Sequence, residues 1–569
     1  MSAVLGLCSY THDSAAALIV DGRLFGFVEE ERLSQVKHTK AYPELAVAWL
    51  LEAANLRPKD IDAVAYNFSA GHYLRAVPRT PALLLSAETR HRALPRALGF
   101  TTVALRTMAR RQVLAGKFPR ARVRPLVHHR AHQAYAFAAS GFDESAVLVV
   151  DSLGEIQTTT IAHGRQSKPG HPVLRTLHAV DDPASLGYVY GAVTMHLGWR
   201  RGDEEGTVMA LAALGDPARF SPLFARAIRL TPGGFVVASE LFPPRTLQRG
   251  AARVTPRFIA ETCPPRRPDE PVEQVHRDLA AALQERTEAV LLHLARKARK
   301  LTGSPRLCVG GGVAANCVGI GRIVDEGIFE EVFVPPAPGD SGTAIGAAAA
   351  VHASLSPQPL TGIEGACYLG PSWRSLVVSR ASRPNLRVER LDADRAEFLA
   401  DRLAEGKIVG LFQGAVEAGP RALGNRSILA SPLSEGVVDR LNATVKFREP
   451  FRPFAPVVPE ERAAEYFTLG QPAPFMSMAS QVTAKTRTRI PAIVHANGTA
   501  RVQTVRPDQN PLLHSVLNAF ARRTGVPVLI NTSLNVKGKP ICGTPDMALD
   551  CLTDSGLDAL LLEDWWVTK

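Results

Sequence analysis

The sequence predicts an α/β protein in which two similar lobes are followed by a separate C-terminal domain. The chain has 569 residues, which is enough for about three or four domains of ordinary size. The order apolar strand, polar turn, second strand occurs twice, near residues 4–28 and near residues 146–164. A Ser/Pro-rich connector at 354–359 then separates an alanine-rich helical segment from a region dense in Arg, Lys, Asn and Gly.

The first copy of this layout begins the chain. Residues 4–7, 15–20 and 23–28 have the apolar composition of strands, and Asp21-Gly22 is a hairpin turn dipeptide. The polar turn at 9–14 contains His12. A histidine in such a turn can act as a general base near neutral pH, so His12 is a candidate catalytic base. The alternative is that His12 only completes the turn.

The second copy has a strand at 146–150, a polar turn at 151–155 and a strand at 157–162 that His163-Gly164 closes. Two such copies are typical of an actin-like or sugar-kinase-like ATPase fold, in which each lobe offers a hairpin turn to the phosphates. Helical spacing and composition predict helices at 278–301 and 341–353, and Pro-rich charged segments predict loops at 166–175 and 263–271.

A candidate metal site combines two histidines with two carboxylates. In VHHRAH at 127–132, His128 and His132 are four positions apart, so a helix would place them on one face. Asp151 and Asp340 each follow a predicted strand, where open α/β folds place their active sites. This donor set suits Fe(II), Mn(II) or Zn(II) without choosing among them. The alternatives are ordinary histidines, a turn residue at Asp151 and a helix N-cap at Asp340.

A glycine run is the candidate nucleotide contact. Gly310, Gly311 and Gly312 follow a short predicted strand at 306–309, and residues 313–318, which include Asn316, can open a helix. Glycines allow close approach of a nucleotide to the backbone, and a helix N-terminus favours phosphate. No GxxxxGK[ST] sequence occurs in the chain, which excludes a P-loop.

The C-terminal region, with predicted strands at 407–412 and 526–529, concentrates cations in polar segments. Arginine gives planar, bidentate hydrogen bonds to phosphoryl or carbamoyl oxygens, so these segments predict a site for ATP and a second anion. The alternative for each residue is an ordinary surface charge. The candidates are Arg421 in the polar segment 413–427, Lys446, Arg448 and Arg452 among aromatic residues, Arg501 after an Asn-Gly turn, and Ser533 in the NTSLN segment.

Composition limits the class of protein. The net charge is +12, but residues 75–124 hold twelve Arg or Lys and one acid. This indicates one basic helical lobe in place of a generally basic protein and weakens a nucleic-acid-binding interpretation. The lobe is either a solvated face or a surface that meets an anionic substrate or partner. The seven cysteines form no C-x-x-C pair, which argues against disulfides and a thiolate zinc site and fits a reducing cytoplasm. Neither a membrane-spanning apolar run nor a secretory leader is expected.

Several motifs together resemble one known family. They resemble the antibiotic-type O-carbamoyltransferases, a family that includes the nodulation-factor carbamoyltransferases and nebramycin synthetase. The resemblance implies an actin-like two-lobed domain (the ASKHA class), similar to the tRNA threonylcarbamoyl-transferases, over 1–353. It also implies a linker at 354–384 and a YrdC-like domain over 385–569. The motifs are HDSAA at 12–16, EEER at 29–32, HHRAH at 128–132, SLG at 185–187, PGD at 338–340, EAGPRALGNR at 417–426 and NTSLN at 531–535.

The same resemblance implies the reaction and the roles of residues. The C-terminal domain would make carbamoyl adenylate from carbamoyl phosphate and ATP, with Mg as a companion of ATP, and the N-terminal domain would transfer the carbamoyl group to a small-molecule hydroxyl. His12 matches the general base, and Lys37 lies in a motif that lines the transfer site. The metal ligands match His128, His132, Asp151 and Asp340, usually around Fe(II). The family's positions for binding carbamoyl phosphate and ATP match Arg421, Lys446, Arg501 and Ser533.

Two departures leave the acceptor open. Thr207 stands where many relatives have Lys, and the basic segment 75–124 aligns with no family motif. A tRNA-modifying threonylcarbamoyl enzyme is the alternative function, since the fold would agree and the net charge would favour it. A sugar or acetate kinase and a non-catalytic ATP-binding scaffold are further alternatives. We expect a small-molecule partner, neither nucleic acid nor membrane, and a homo-oligomer is compatible with the sequence.

Overall fold

The computed structural model describes residues 2–248, 250–373 and 385–569. These residues form two compact units, each considered by itself below. The first unit comprises residues 1–27 and 40–366, and the second comprises residues 28–39 and 367–569.

The units divide the chain at other points than the predicted boundaries. Of the predicted linker, residues 354–366 belong to the first unit and 367–373 to the second, while 374–384 lie outside the described residues. Residues 28–39 join the second unit because Glu29 Oε1 accepts a hydrogen bond from Gly419 N at 2.7 Å. The Arg32 guanidinium also donates to Gly419 O at 2.6 Å. Such contacts between distant segments leave no local signal in the sequence.

Helices occur in both units. Seven described 3₁₀ segments lie at Pro58–Asp60, Val77–Leu85, Pro217–Arg219, Gly312–Ala315, Asp340–Gly342, Glu460–Glu465 and Pro491–Ile493, and a π-helical turn lies at Leu441–Lys446. The α-helices of the described chain are α1 (Glu31–Ser34), α2 (Glu44–Ala53), α3 (Ala70–Leu74), α4 (Arg90–Lys117), α5 (His128–Ser140), α6 (Leu186–His196), α7 (Glu205–Ala212), α8 (Ser221–Ala227), α9 (Pro256–Glu261), α10 (Gln274–Thr302), α11 (Cys317–Asp325), α12 (Thr343–Leu355), α13 (Arg395–Ala404), α14 (Val437–Arg440), α15 (Ala484–Arg489), α16 (Pro511–Thr524) and α17 (Pro545–Thr553).

The first unit contains a five-stranded sheet built from β1 (Ala3–Cys8), β2 (Ala15–Val20), β3 (Arg23–Glu29), β4 (Ala63–Tyr66) and β5 (Arg122–Pro125). Their order is β3-β2-β1-β4-β5. Strand β1 is antiparallel to β2 and parallel to β4, and every residue of β1 is buried. Helix α12 lies so close to β1 that a side chain at Gly6 would collide with the Ala344 carbonyl. The predicted strands at the start of the chain are therefore confirmed.

A second five-stranded sheet repeats this arrangement. It contains β6 (Glu144–Gly154), β7 (Gln157–Gln166), β8 (Pro172–Asp181), β11 (Arg306–Gly310) and β12 (Glu331–Phe333), in the order β12-β11-β6-β7-β8. Strand β6 is antiparallel to β7 and parallel to β11, as β1 is to β2 and β4. The predicted duplication of the layout is confirmed at the level of strand order. A small hairpin of β9 (Ile228–Thr231) and β10 (Gly234–Val237) is separate.

Several predicted boundaries in this sheet were wrong. Strand β6 continues through most of the predicted turn at 151–155, with an irregular register between Val150 and Gly154. Strand β7 does not end at His163-Gly164 but runs to Gln166, and β8 begins at Pro172 inside a predicted loop. Pairing between long antiparallel neighbours outweighs the turn-like local composition, since strand propensity depends on context.

The predicted helices of the first unit are confirmed with small shifts. Helix α10 covers the predicted 278–301, and α12 begins two residues later than predicted because Asp340–Gly342 is a 3₁₀ turn. The basic segment 75–124 is mainly α4, as expected, but ends in strand β5. Among the described residues, no helix is both long and apolar enough to cross a membrane.

The second unit is built on an eight-stranded mixed sheet in the order β13-β22-β21-β14-β15-β20-β16-β19. Buried aliphatic and aromatic side chains form a core on each side of it. One prediction was wrong here: β20 begins at Leu529 where the sequence predicted a strand to end, so Ser533 lies in the strand and not after it. The strands are β13 (Arg387–Arg390), β14 (Val409–Phe412), β15 (Arg426–Ala430), β16 (Ala455–Pro459), β17 (Ala479–Gln481), β18 (Thr499–Arg501), β19 (Gln503–Val505), β20 (Leu529–Ser533), β21 (Ala559–Leu562) and β22 (Trp565–Thr568), of which β17 and β18 form a separate pair.

Candidate active site

In the first unit, the structure brings together the four predicted metal ligands, His128, His132, Asp151 and Asp340, hereafter the His/Asp cluster. One donor atom from each lies within 4.8 Å of all the others. The His128 and His132 Nε2 atoms are 3.0 Å apart. From His128 Nε2, both the Asp151 Oδ2 and the Asp340 Oδ1 atoms are 3.4 Å away. Both histidines and Asp151 are buried, and Asp340 is partly open.

The local structure explains this convergence. Helix α5 starts at His128, so both histidines project from its first turns on one face. Asp151 lies in the irregular stretch of β6, where the strand bends away from β7. Asp340 precedes α12, and its side chain caps no helix. The turn and N-cap alternatives for the two aspartates therefore do not describe where their carboxylates lie.

A shell of further contacts holds the cluster. The Phe68 ring stacks on the His128 ring with centroids 4.6 Å apart. The Glu155 carboxylate accepts hydrogen bonds from His128 N at 3.2 Å and Ser69 N at 2.8 Å. Asp151 Oδ1 accepts one from Gly312 N at 3.2 Å. Sequence reasoning missed Glu155; its only signal was that it is the last residue of the polar turn after Asp151.

The charges in the cluster favour a bound cation. Burial opposes protonation of His128, yet Asp340 and Asp151 raise its pKa well above the ordinary value. Burial and the neighbouring positive His128 hold the pKa of His132 well below its ordinary value. Two carboxylates close together in a largely buried place favour a positive charge between them. Two imidazole nitrogens and two carboxylates are also a suitable donor set for a divalent transition metal, so the residues fit a metal ion.

His12 forms a pair with its neighbour. Its Nδ1 lies 2.8 Å from Asp13 Oδ2, which favours the tautomer with a proton on Nδ1 and an accepting Nε2. A Cβ placed on Gly202 would lie 2.7 Å from His12 Nε2, so this nitrogen faces the Gly202 backbone. Burial raises the pKa of Asp340, and His12 is close enough to oppose that effect. His12 therefore lies near Asp340 of the His/Asp cluster.

The glycine run has a structural explanation of its own. Gly311 has φ +90°, and a side chain there would collide with the Val150 carbonyl, so the glycine lets β11 pass the bend of β6. Asn316 accepts from Gly319 N at 2.9 Å as the N-cap of α11, and its side chain pairs with Gln284 at 2.9 and 3.0 Å. A nucleotide contact by Gly310, Gly311, Gly312 and Asn316 remains a prediction.

In the second unit, Lys446 lies at the end of the π-helical turn and is buried, with 6% of its surface exposed. Its Nζ donates to the Ser533 carbonyl and lies 3.2 Å from Ser533 Oγ and 2.8 Å from Asn535 Oδ1. Burial, with the positive charge of Arg448, lowers the pKa of Lys446 to about 7. The structure thus brings together two predicted site residues, Lys446 and Ser533. Asn535 is a third contact that sequence reasoning did not single out.

Three arginines carry positive charge in this region: Arg448 and Arg452 are close enough to Lys446 to lower its pKa, and Arg501 acts in the same way on Arg448. Arg448 donates to Asn442 Oδ1 at 2.8 Å and lies 4.4 Å from the centre of the Phe454 ring. Burial, followed by the positive charges of Arg452 and Arg501, lowers the pKa of Arg448 to about 9. Burial and Arg501 also lower the pKa of His495 to about 4, so this neighbour is neutral. Lys446, Arg448, Arg452 and Arg501 are hereafter the cationic cluster, in which Lys446 is buried and the arginines are half-buried. Glu449 Oε2 lies 3.9 Å from the Arg452 guanidinium.

Two other predicted residues lie elsewhere in the second unit. Arg421 is half-buried in the loop between β14 and β15. Glu417 shapes this loop, since its Oε1 accepts hydrogen bonds from the backbone N–H groups of Leu423, Asn425 and Arg426 at 3.1, 2.8 and 2.8 Å. Lys37 is half-buried in a turn after α1, and so belongs to the other unit from His12.

Comparisons with known proteins cover both units. A family model described as Carbamoyltransferase N-terminus matches residues 3–349, and one described as Carbamoyltransferase C-terminus matches residues 400–569. The chain is 35% identical over 572 residues to the nodulation protein NolNO of Sinorhizobium fredii, covering 99% of this chain and 79% of that one. It is 34% identical over 610 residues to the uncharacterized protein sll1178 of Synechocystis sp., covering 100% and 97%. The nodulation protein NolO of Bradyrhizobium diazoefficiens is 38% identical over 450 residues, covering 78% of each chain.

Proposed function

Because the chain belongs to the carbamoyltransferase family and is a carbamoyltransferase, we propose that it first makes carbamoyl adenylate from carbamoyl phosphate and ATP. In the proposal, the second unit forms the adenylate and the first unit transfers its carbamoyl group to a hydroxyl of a small molecule. The family matches confirm the resemblance drawn from the motifs. The repeated strand order supports an actin-like fold for the first unit, and a YrdC-like second unit belongs to the same proposal.

The cationic cluster is the observation that carries the proposal. The buried Lys446 and the half-buried Arg448 have lowered pKa values there, and the positive charges of Arg452 and Arg501 contribute to the lowering at Arg448. Burying like charges together is unfavourable unless an anion compensates them. Carbamoyl phosphate and the triphosphate of ATP supply such an anion, and arginine forks match phosphate oxygens well. The cluster therefore supports adenylate formation in the second unit.

The proposed first reaction uses these groups to balance charge. Cleavage of carbamoyl phosphate by water releases inorganic phosphate and leaves carbamate. A carbamate oxygen then forms a bond to the α-phosphorus of ATP, and the bond to pyrophosphate breaks. The cations would stabilise the negative charge that develops on the departing phosphate and pyrophosphate oxygens. Arg421, in the loop that Glu417 shapes, is proposed to join them.

The proposed transfer uses the first unit. Asp13 orients His12, and His12 Nε2 accepts the proton of the acceptor hydroxyl. The hydroxyl oxygen then bonds to the carbamoyl carbon, and the bond from this carbon to AMP breaks. The His/Asp cluster would hold a divalent metal, with Fe(II) preferred and Mn(II) or Zn(II) as alternatives. Such an ion, when bound, stabilises negative charge on phosphate oxygens. Glu155 and Phe68 keep the His128 ring in position for this role.

The test measures pyrophosphate and carbamoyl adenylate after purified protein is mixed with carbamoyl phosphate, ATP and Fe(II). We expect both products to depend on carbamoyl phosphate. Arg501→Gln should slow their formation by about 10- to 100-fold, the cost of one lost hydrogen bond to a charged group. Arg506→Gln is the matched control, because Arg506 is an exposed arginine of the same unit that pairs with Asp508. Pyrophosphate release that needs no carbamoyl phosphate, or that responds equally to both substitutions, would refute the proposal.

A further inference from the structure

A group of arginines in the first unit has no role in the mechanism above. The guanidinium of Arg245 lies 4.7 Å from the centre of the Tyr188 ring, and that of Arg253 lies 5.2 Å from it. Arg201 is close enough to both for its charge to interact with theirs. Arg201, Arg245 and Arg253 are hereafter the arginine group. Tyr188 and Arg245 are buried, Arg253 is half-buried and Arg201 is exposed, so the group opens towards solvent.

The deeper arginines in and around this group already have hydrogen-bond or ion-pair partners. Asp182 pairs with Arg96 through a 2.5 Å contact and with Arg245 through a 2.7 Å contact. Arg92 donates to the carbonyls of Pro244 and Ala252 at 3.1 and 3.0 Å. One carboxylate thus serves two arginines, and Arg92 meets only neutral acceptors. These contacts fix the segment that carries Arg245 and Arg253, and they leave the region positive.

Arg201 and Arg253 are not compensated in this way. Within the part of the chain that the structure describes, neither guanidinium makes a hydrogen bond or an ion pair. Partial burial, followed by the positive charge of Arg201, lowers the pKa of Arg253 to about 10. Partial burial and Arg245 likewise lower the pKa of Arg201. Glu205 is an acid that opposes the lowering of the pKa at Arg201, and its Oε1 accepts a hydrogen bond from Gly202 N at 2.6 Å.

The arginine group adjoins the candidate transfer site from two directions. Arg201 precedes Gly202, whose backbone His12 Nε2 faces. Arg245 donates to the carbonyl of Ser152 at 2.7 Å, and Ser152 follows Asp151 of the His/Asp cluster. A small molecule held by the arginine group would therefore lie next to both the candidate base and the His/Asp cluster.

We propose that the arginine group binds an oxyanion, a phosphate or a carboxylate, that the acceptor molecule carries in addition to its hydroxyl. This assignment of the acceptor as an anionic molecule rests on the proposed function. Converging guanidinium groups match the oxygens of phosphate and carboxylate, and in this group Arg201 and Arg253 make no ion pair of their own among the residues that the structure describes. The Tyr188 ring lies against the guanidinium groups of Arg245 and Arg253. Docking the anion there would leave the hydroxyl end of the acceptor near His12.

The first test is calorimetric titration of the purified protein with inorganic phosphate, and in parallel with acetate. We expect two phosphate sites per chain, one at the cationic cluster and one at the arginine group. Arg253→Gln and Arg201→Gln should each weaken one site by about 10- to 100-fold, while Arg501→Gln weakens the other. Arg257→Gln is the matched control, since Arg257 is an exposed arginine of the same unit that pairs with Glu261. If Arg253→Gln also loses acetate binding, the site accepts carboxylates as well as phosphate.

Phosphate binding that Arg201→Gln and Arg253→Gln leave unchanged would overturn the proposal. Thermal unfolding distinguishes a binding role of Arg201 and Arg253 from a purely structural one. Since these arginines repel each other and make no internal hydrogen bond, removing one charge should keep or raise the melting temperature. A clear fall in melting temperature together with lost binding in Arg253→Gln, but not in Arg201→Gln, would contradict a shared binding role.

The second test separates the acceptor from the adenylate, whose own phosphate is another oxyanion. Carbamoyl adenylate formation, and its slow breakdown by water without acceptor, are measured in wild type and Arg253→Gln. Unchanged rates support an acceptor site, whereas a changed breakdown rate would assign the group to the adenylate and overturn the proposal. Absence of adenylate in the wild type would refute the proposed function instead, and the phosphate titration would then decide the site by itself.

Discussion

Anion binding at the cationic cluster should weaken as pH rises, because Lys446 titrates near neutrality. Burial and Arg448 lower the pKa of Lys446 from its ordinary value of 10.5 to about 7. This difference corresponds to about 5 kcal/mol of charging penalty in the ligand-free protein. An anion that binds between Lys446 and the arginines favours the protonated lysine, so binding should take up a proton when the pH exceeds the pKa.

The expected magnitude follows from the fraction of Lys446 that carries a proton. Between about pH 6 and about pH 8, this fraction falls about tenfold, and the affinity for an anion of constant charge should fall by the same factor. Sulfate is a suitable probe because its charge does not change over this range. Arg448 remains charged throughout, because its pKa is lowered only to about 9. The measurement is calorimetric titration with sulfate in an Arg253→Gln background, which removes the site proposed in the first unit.

The matched control is Lys446→Met, which keeps the length of the side chain and removes the titrating group. Sulfate should bind more weakly to this variant, with no pH dependence between the same limits. Folding should tolerate the change, since it removes a buried charge that costs free energy in the absence of an anion. The ligand-free protein should also become more stable as pH rises. Between about pH 7 and about pH 10.5 the unfolded chain holds a proton on Lys446 that the folded chain has lost, so the free energy of unfolding increases with pH over that range. Sulfate affinity that rises or stays constant in the wild type would refute the reasoning.

Three further predictions concern the framework of the two candidate sites. Gly311→Ala should destabilise the first unit by more than about 2 kcal/mol in urea unfolding, whereas Gly327→Ala, which also has positive φ but open space around it, should cost only about 1 kcal/mol; equal effects would contradict the steric argument. Glu417→Gln should lower the free energy of unfolding by about 2 to 3 kcal/mol, because three hydrogen bonds to a carboxylate become hydrogen bonds to a neutral amide oxygen. An unchanged urea midpoint would show that the negative charge of Glu417 is unimportant. Asp13→Asn should slow carbamoyl transfer by about 10- to 100-fold without changing adenylate formation, because His12 loses its orienting partner; equal losses in both steps would argue against a base at His12.

The His/Asp cluster could be predicted because each ligand carried a local signal. His128 and His132 have helical spacing, and the aspartates follow apolar strand segments, so the general geometry of α/β proteins sufficed to group them. The prediction for Asp151 relied on a strand end at Val150, whereas β6 continues to Gly154, and Asp151 nevertheless lies in the cluster. The bulge between Val150 and Gly154 turns Asp151 inward even though the strand continues beyond it.

Other parts of both sites could not be predicted, because their signals depend on tertiary contacts. Glu155 resembles any turn residue until it is seen to bind the backbone N–H of His128. Arg201 and Arg253 lie about fifty positions apart and in no motif, and only the fold places their charges within reach of each other. The assignment of residues 28–39 to the second unit depends in the same way on contacts to Gly419.

Motif density alone does not distinguish residues that bind ligands from residues that build loops, and the structure shows why. Arg426 and Lys446 are both buried cations of the second unit, and both come from polar motifs. Burial lowers the pKa of Arg426 to about 10, but its guanidinium donates to the carbonyls of Gln413, Gly414 and Asn425, and acidic groups oppose the shift. Lys446 has acceptors too, yet the neighbouring side chain that acts most strongly on its pKa is the cation Arg448. The protein thus compensates Arg426 internally, as a loop-building residue requires, whereas the proposed function assigns a bound anion to balance the positive charge around Lys446.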